Sequence, residues 1–234
     1  MKQVLITGAS SGIGAETAIL LAEHGYELIL TARRDHLLRE LALKCEELGA
    51  LRADAIAGDI LDVAVNPRLA DLLKGEGEIV LVNNAGVAEG GGYAESDWTG
   101  IEKQMATNLL GPMAVTRAVL PSMLAAGRGL IVNVASIAAR TVFPGSAVYS
   151  ASKAGLVQFG ACIREEYRRH GIRVTNILPG ATDTPIWGGD TGQGPPREKM
   201  LRARAVADAI AWVVALHPDR VVEEMTVTPP DGVL

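Results

Sequence analysis

Cysteine is nearly missing: Cys45 and Cys162 are the only two in 234 residues. Both sit in helix-like context without metal-ligand spacing, so they provide neither a disulfide framework nor a metal site, and they fit a reducing cytosol. Aromatics are scarce as well, 4% against 48% hydrophobic residues. The core must therefore come from Ala, Val, Leu and Ile, which suits a sheet covered by helices on both faces better than a ligand-binding barrel. There is no basic run and no aromatic–basic interleaving in a chain of net charge −5, which argues against nucleic acid as a partner. No apolar run approaches the roughly 20 residues of a membrane-spanning helix. The opening MKQVLITGAS lacks the apolar length and cleavage site of a signal peptide. A soluble, cytoplasmic protein with no membrane partner is expected.

What is present is alternation. Short Val/Ile/Leu-rich runs at Gln3–Thr7, Tyr26–Thr31, Leu51–Ala57, Ile79–Asn83, Leu130–Ala135, Arg173–Leu178 and Glu224–Thr228 read as strands. Helical periodicity falls between them, at about 13–24, 35–48, 66–74, 97–126, 148–170 and 203–216. This β–α alternation predicts an α/β fold, a single doubly wound parallel sheet of about seven strands with helices on both faces, as one domain over residues 1–234. Ligands in such sheets lie beyond the carboxyl ends of the strands. A glycine-rich stretch after Pro185, within 185–200, is expected to form a substrate lid. The stretch AEGGG at Ala88–Gly92 is a smaller loop of the same kind.

The first strand runs into TGASSGIG, Thr7–Gly14, and then into a helix. That turn presents free backbone N–H groups and the positive end of a helix dipole to an anion. Gly8, Gly12 and Gly14 permit the tight bend and the close approach of a pyrophosphate. Ser10 and Ser11 either add hydroxyls to a phosphate cradle or cap the helix. The second strand ends TARRD. Where an acidic residue would bind a ribose 2′-hydroxyl stands Ala32, followed by Arg33 and Arg34, whose forked donors match a 2′-phosphate. NADP(H) is therefore preferred over NAD(H). The bland alternative is a solvated pair ahead of a helix capped by Asp35, a reading expected to hold for one of the two arginines.

Tyr149 and Lys153, in YSASK, stand four apart on one helix face. A phenol titrates near about 10 and is a poor base at neutral pH; a neighbouring ammonium lowers that value and makes it a usable acid/base. Ser136 follows the strand LIVNVA, where its hydroxyl either contacts a substrate oxygen or caps a turn. Pro112, inside the long helix, offers no N–H to the carbonyl of Asn108, which leaves a mid-helix acceptor that a water can bridge to a lysine.

Together TGASSGIG, the NNAG of Asn83–Gly86, Asn108, Ser136, YSASK and the PGATDT of Pro179–Thr184 resemble the short-chain dehydrogenase/reductase family, in its compact subgroup, over essentially the whole chain. The resemblance implies that Tyr149 is the acid/base, that Ser136 orients the carbonyl, that Lys153 tunes Tyr149 and holds the nicotinamide ribose, and that Asn108 holds a relay water. It places Gly8, Ser10, Ser11, Gly12, Ile13 and Gly14 around the phosphates, and Asp59 and Ile60 at the adenine. Asn84, Ala85 and Gly86 fall on the adenosine side, and Thr182 and Thr184 at the carboxamide. Arg33 occupies the place of a basic NADP marker, whereas a second marker position holds Ser11. Ser136, Ala138, Phe143, Tyr149 and Gly180 are expected to line the substrate site, with Ile137 and the 186–194 loop. No metal is expected. The activity implied is carbonyl–alcohol interconversion in a homodimer or homotetramer. The alternatives are an epimerase or dehydratase on the same fold and an NADP-sensing binding module.

Overall fold

The computed structural model describes residues 2–73, 77–187 and 195–232. In chain order the strands are β1 (Lys2–Thr7), β2 (Glu27–Ala32), β3 (Arg52–Ala57), β4 (Glu78–Asn83), β5 (Gly129–Val134), β6 (Ile172–Pro179), β7 (Thr182–Asp183), β8 (Leu201–Arg202) and β9 (Glu224–Val227). The helices are α1 (Gly12–Glu23), α2 (Asp35–Glu47), α3 (Val65–Leu72), α4 (Trp98–Met105), α5 (Gly111–Ala125), α6 (Ala147–Tyr167) and α7 (Ala203–Ala215). Seven strands form one sheet in the order β3-β2-β1-β4-β5-β6-β9, every neighbouring pair parallel.

Each strand supplies two cores, because successive side chains point to opposite faces. Val4 and Ile6 of β1 pack with α1, α2 and α7, whereas Leu5 between them packs with α3 and α5. Burial on both faces is why the central strands are mostly apolar. The strand order reverses between β1 and β4, and this opens a crevice at their carboxyl ends.

The structure departs from the sequence reading in three places. The helix expected over 97–126 is interrupted at Ala106–Leu110 by a π-helical turn, in which the Gly111 N–H bonds the Ala106 carbonyl five residues back. Pro112 cannot continue the four-residue ladder, so the helix takes in an extra residue just ahead of it. Asp35 does not cap α2: Arg34 holds the N-cap position, while Asp35 lies in the first turn and pairs with Arg39 at 2.8 Å. The pairing of β7 with β8 was not anticipated. Together with the Asp183–Arg197 ion pair it fastens the neck of the expected lid, whose residues 188–194 lie outside the described residues. Among the described residues no helix is long and apolar enough to cross a membrane.

Candidate active site

The glycine turn and the segment after β4 meet across the crevice. Gly8 and Gly12 adopt φ +65° and +57°, the left-handed region that only glycine enters freely. A Cβ at Gly8 would stand 2.8 Å from Ala85 Cα, so the backbones touch where a side chain would intervene. Thr7 fastens them. Its hydroxyl accepts from the N–H groups of Asn84 and Ala85, both at 3.0 Å, and the Asn84 amide donates back to the Thr7 and Gly8 carbonyls at 3.0 and 3.3 Å. Thr184 closes the other side, with Cγ2 3.0 Å from where a Gly12 Cβ would lie. The turn is thus a cradle walled by the ends of β1, β4 and β6, at the N-terminus of α1.

Ser11 is the N-cap residue of α1, but its side chain makes no capping bond. Instead the Ser10 and Ser11 hydroxyls accept from Arg34, at 2.9 and 2.7 Å from Nη2, with Nε also 3.2 Å from Ser10. Arg33, the arginine the sequence favoured, is exposed and makes no hydrogen bond or ion pair among the described residues. Beyond β3, the Asp59 carboxylate accepts from the Leu61 N–H at 3.0 Å in a local turn. Ile60 is buried in the core.

At the carboxyl end of β5, Ser136 caps a short 3₁₀ turn: its hydroxyl accepts from the Ala138 N–H at 3.1 Å. The same hydroxyl faces the Tyr149 phenol and favours its ionised form. Lys153 is 4% exposed and donates from Nζ to the Val134 carbonyl at 2.9 Å. Its Nζ lies 5.8 Å from the centroid of the Tyr149 ring.

Burial pulls the ammonium of Lys153 down to about 8 and pushes the Tyr149 phenol above its ordinary value, with the nearby Ser136 hydroxyl working in the opposite direction. Desolvation outweighs the influence of the lysine that the sequence anticipated. Asn108 is fully buried in the π-helical turn. Its side chain accepts from the Val87 N–H at 2.8 Å and donates to the Val87 carbonyl at 2.9 Å, clamping the NNAG segment, and it also donates to the Ser152 hydroxyl at 3.1 Å. A Cβ at Gly86 would lie 3.3 Å from Asn108 Oδ1 and 3.5 Å from Lys153 Nζ. Gly86, Asn108, Tyr149 and Lys153 therefore lie together.

The family model for short chain dehydrogenases matches residues 2–193. The chain belongs to this family. It is an oxidoreductase with the family's Rossmann-like sheet. An uncharacterized oxidoreductase of Staphylococcus saprophyticus is 35% identical, the match covering 97% of each chain. A sulfoacetaldehyde reductase of Chromohalobacter salexigens is 37% identical over 92% of this chain and 88% of that protein. A solved serine dehydrogenase in complex with NADP+ superposes with a TM-score of 0.86 at 30% identity, covering 96% of this chain and 94% of that one.

Within this family site, the sequence reading gave Thr7 and Trp187 no role of their own. Thr7 was seen only as part of the turn. Trp187 donates its indole N–H to the Thr182 carbonyl at 2.9 Å, bracing the segment in which Thr182 bonds the Gly180 carbonyl and Thr184 the Thr182 carbonyl. Its rarity, one of three tryptophans, was the available signal. Gly180 itself is tied to β9 through the Val227 carbonyl. Ala138 and Phe143 line an open cavity of ≈ 470 Å³ that also contacts Ala147, Ala151 and Ala154 of α6. That stripe is a different face of α6 from Tyr149 and Lys153.

Proposed function

We propose that the chain is an NADP(H)-dependent oxidoreductase that interconverts a carbonyl and an alcohol, with Tyr149 as the acid/base. One observation carries the reading: the Ser136 hydroxyl, the Tyr149 phenol and the Lys153 ammonium adjoin one another at the sheet's carboxyl end, beside a glycine turn shaped for a dinucleotide. The cradle at Gly8, Gly12 and Gly14 and the free N–H groups that open α1 fit a pyrophosphate. A relative named for reducing sulfoacetaldehyde and a neighbour solved with NADP+ support the same reading. The bound dinucleotide would supply a hydride to the carbonyl carbon or take one from the alcohol carbon.

The protein's own residues do the remainder. Ser136 donates to the substrate oxygen and holds it against Tyr149. The phenol, kept protonated by burial, gives its proton to that oxygen in the reducing direction and recovers it from bulk water afterwards. Lys153 stabilises the phenolate left behind, which costs less in a dry site with a fixed cation than in one without it. Asn108 holds the NNAG segment and the start of α6 in place. Thr182 and Thr184, braced by Trp187, would hold the carboxamide.

Arg34, with Ser10 and Ser11, supplies the site for a 2′-phosphate. Arg34→Ala is expected to raise the KM for NADPH by about 10–100-fold, the worth of a lost charge-assisted bond, and to leave the KM for NADH nearly unchanged. Arg33→Ala, run in parallel, should change little. A selective loss in Arg33→Ala alone would restore the assignment made from sequence.

Substrate turnover separates the rivals. A panel of small aldehydes and ketones should consume NADPH stoichiometrically. Tight binding without turnover would favour a sensor, and retained nicotinamide without net oxidation an epimerase or dehydratase. A homodimer or homotetramer is proposed as well, from apolar surface around the site: Leu110 in the π-helical turn and Val142 in the loop before α6 are 54% and 90% exposed, and Ala147 and Ala151 are exposed on α6. Light scattering is expected to return two or four times the 24.6 kDa chain mass; a monomer would refute it.

A further inference from the structure

Three asparagines cross the sheet beneath the candidate site. Asn83 of β4 is in register with Asn133 of β5, and Asn133 with Asn176 of β6. All three are buried, at 1%, 0% and 2% exposure. Their amides form a one-way chain: Asn83 Nδ2 donates to Asn133 Oδ1 at 3.0 Å, Asn133 Nδ2 to Asn176 Oδ1 at 3.0 Å, and Asn176 Nδ2 to the Val157 carbonyl of α6 at 3.1 Å. Asn83 also donates to Thr116 of α5 at 3.2 Å. On the helix side, a Cβ at Gly160 would lie 2.5 Å from Asn176 Oδ1 and 2.6 Å from Asn133 Nδ2. The helix rests on the amides with no side chain between them.

Tyr149, Lys153, Val157 and Gly160 fall on one stripe of α6. The contact at Val157 and Gly160 is therefore the seat of the helix that carries Tyr149 and Lys153. Asn133 is adjacent to Val134, whose carbonyl receives the Lys153 ammonium, and three residues from Ser136. The same strand thus presents the seat of α6, the acceptor for its lysine and the partner for its tyrosine. A core of Leu and Val would fill this space, but it would slide. Hydrogen-bonded amides have one register, and a buried amide displaced from its partner loses it outright.

We propose that Asn133 and Asn176 are positioning residues that fix the height of α6 against β5, and so set Tyr149 and Lys153 relative to Ser136. The proposal rests on reading Tyr149 as the acid and Lys153 as its cationic partner. Displacing α6 moves the Tyr149 phenol relative to Ser136, and a misplacement of about 1 Å at a reacting group costs up to roughly 100-fold in rate.

The test uses Gly160→Ala, whose added methyl lifts the helix off the amides, and Asn176→Asp, which keeps the shape and the acceptor for Asn133 but cannot donate to Val157. Each is assayed with NADPH and the fastest aldehyde of the panel, alongside wild type and Tyr149→Phe. Turnover in the folded variants is expected to fall by about 10–100-fold, with NADPH dissociation constants within about twofold, since the glycine cradle is untouched. Without cofactor, the ultraviolet titration of the Tyr149 phenol, taken as a difference against Tyr149→Phe in the same background, should move to higher pH as the Ser136 hydroxyl moves off the phenol. Variants that only melt earlier, with wild-type turnover and phenol titration, would overturn the proposal. So would failure of both to fold, which would make the ladder a folding element. Substantial activity in Tyr149→Phe would instead refute the reading of the acid, and the phenol titration would still report on the ladder.

Discussion

Tyr149→Phe is expected to lower turnover of NADPH with the best aldehyde by about 10²–10⁴-fold, the usual contribution of a positioned acid or base. Its dissociation constant for NADPH should stay within about twofold of wild type, because the phosphate cradle is not touched. The substitution removes one oxygen and keeps the ring, so packing around the half-buried side chain survives. The Ser136 hydroxyl keeps the bond it accepts from the Ala138 N–H, and the fold should not suffer. Fluorescence titration of bound NADPH and initial rates of its consumption measure the two quantities separately. Turnover within a few-fold of wild type would mean that another group donates the proton.

Lys153→Met is expected to reduce the same rate by about 10²–10³-fold, a loss typical of a removed charge-stabilising group, and to change the pH dependence. In the unliganded protein burial holds the ammonium at about 8, while the phenol keeps its proton to higher pH. The reductive kcat/KM of the wild type should therefore be level below about pH 8 and fall above it, as the cation that stabilises the nascent phenolate is lost. The variant should lack that alkaline limb. Stability should move the other way. The folded-state value of Lys153 lies below its ordinary 10.5, so folding disfavours the charged form. Below about pH 8 the buried ammonium is charged in both states and its desolvation penalty is fully present. The penalty is relieved as pH rises from there toward 10.5. Lys153→Met should thus melt at a higher temperature than wild type at neutral pH while being far less active. A lower melting temperature together with an unchanged pH profile would show that the lysine is a packing element.

Much of this was legible in the sequence because the physics is local. A strand buried on both faces is mostly apolar, and β1, β4, β5 and β6 read that way apart from buried polar positions such as Asn83, Asn133 and Asn176. A turn that brings backbone against backbone needs glycine, so Gly8, Gly12 and Gly14 mark the cradle without reference to the rest of the chain. Tyr149 and Lys153 share a helix face by spacing alone. What stayed hidden depends on direction or on distant partners. Arg33 and Arg34 are the same residue type, and only the exit angle of the chain from β2 into α2 turns the second toward Ser10 and Ser11. The two-residue strands β7 and β8 are too short for any periodicity. Pro112 pointed to the carbonyl of Asn108 but not to the extra residue taken into the helix, nor to the Asn108 side chain closing on Val87. The asparagine ladder joins positions 50 and 43 residues apart; each member looks ordinary until three strands are placed in register.

The central claim is that hydride passes between the nicotinamide and a carbonyl carbon beside Tyr149. Its most direct test is transfer of label from NADPH deuterated at the reactive position of the nicotinamide ring, with the best aldehyde of the panel. The account predicts an alcohol carrying one deuterium at the carbinol carbon and an equal amount of NADP+, with both formed about 10²–10⁴-fold more slowly by Tyr149→Phe. An alcohol free of label, or a product formed while the labelled cofactor is recovered intact, would contradict it.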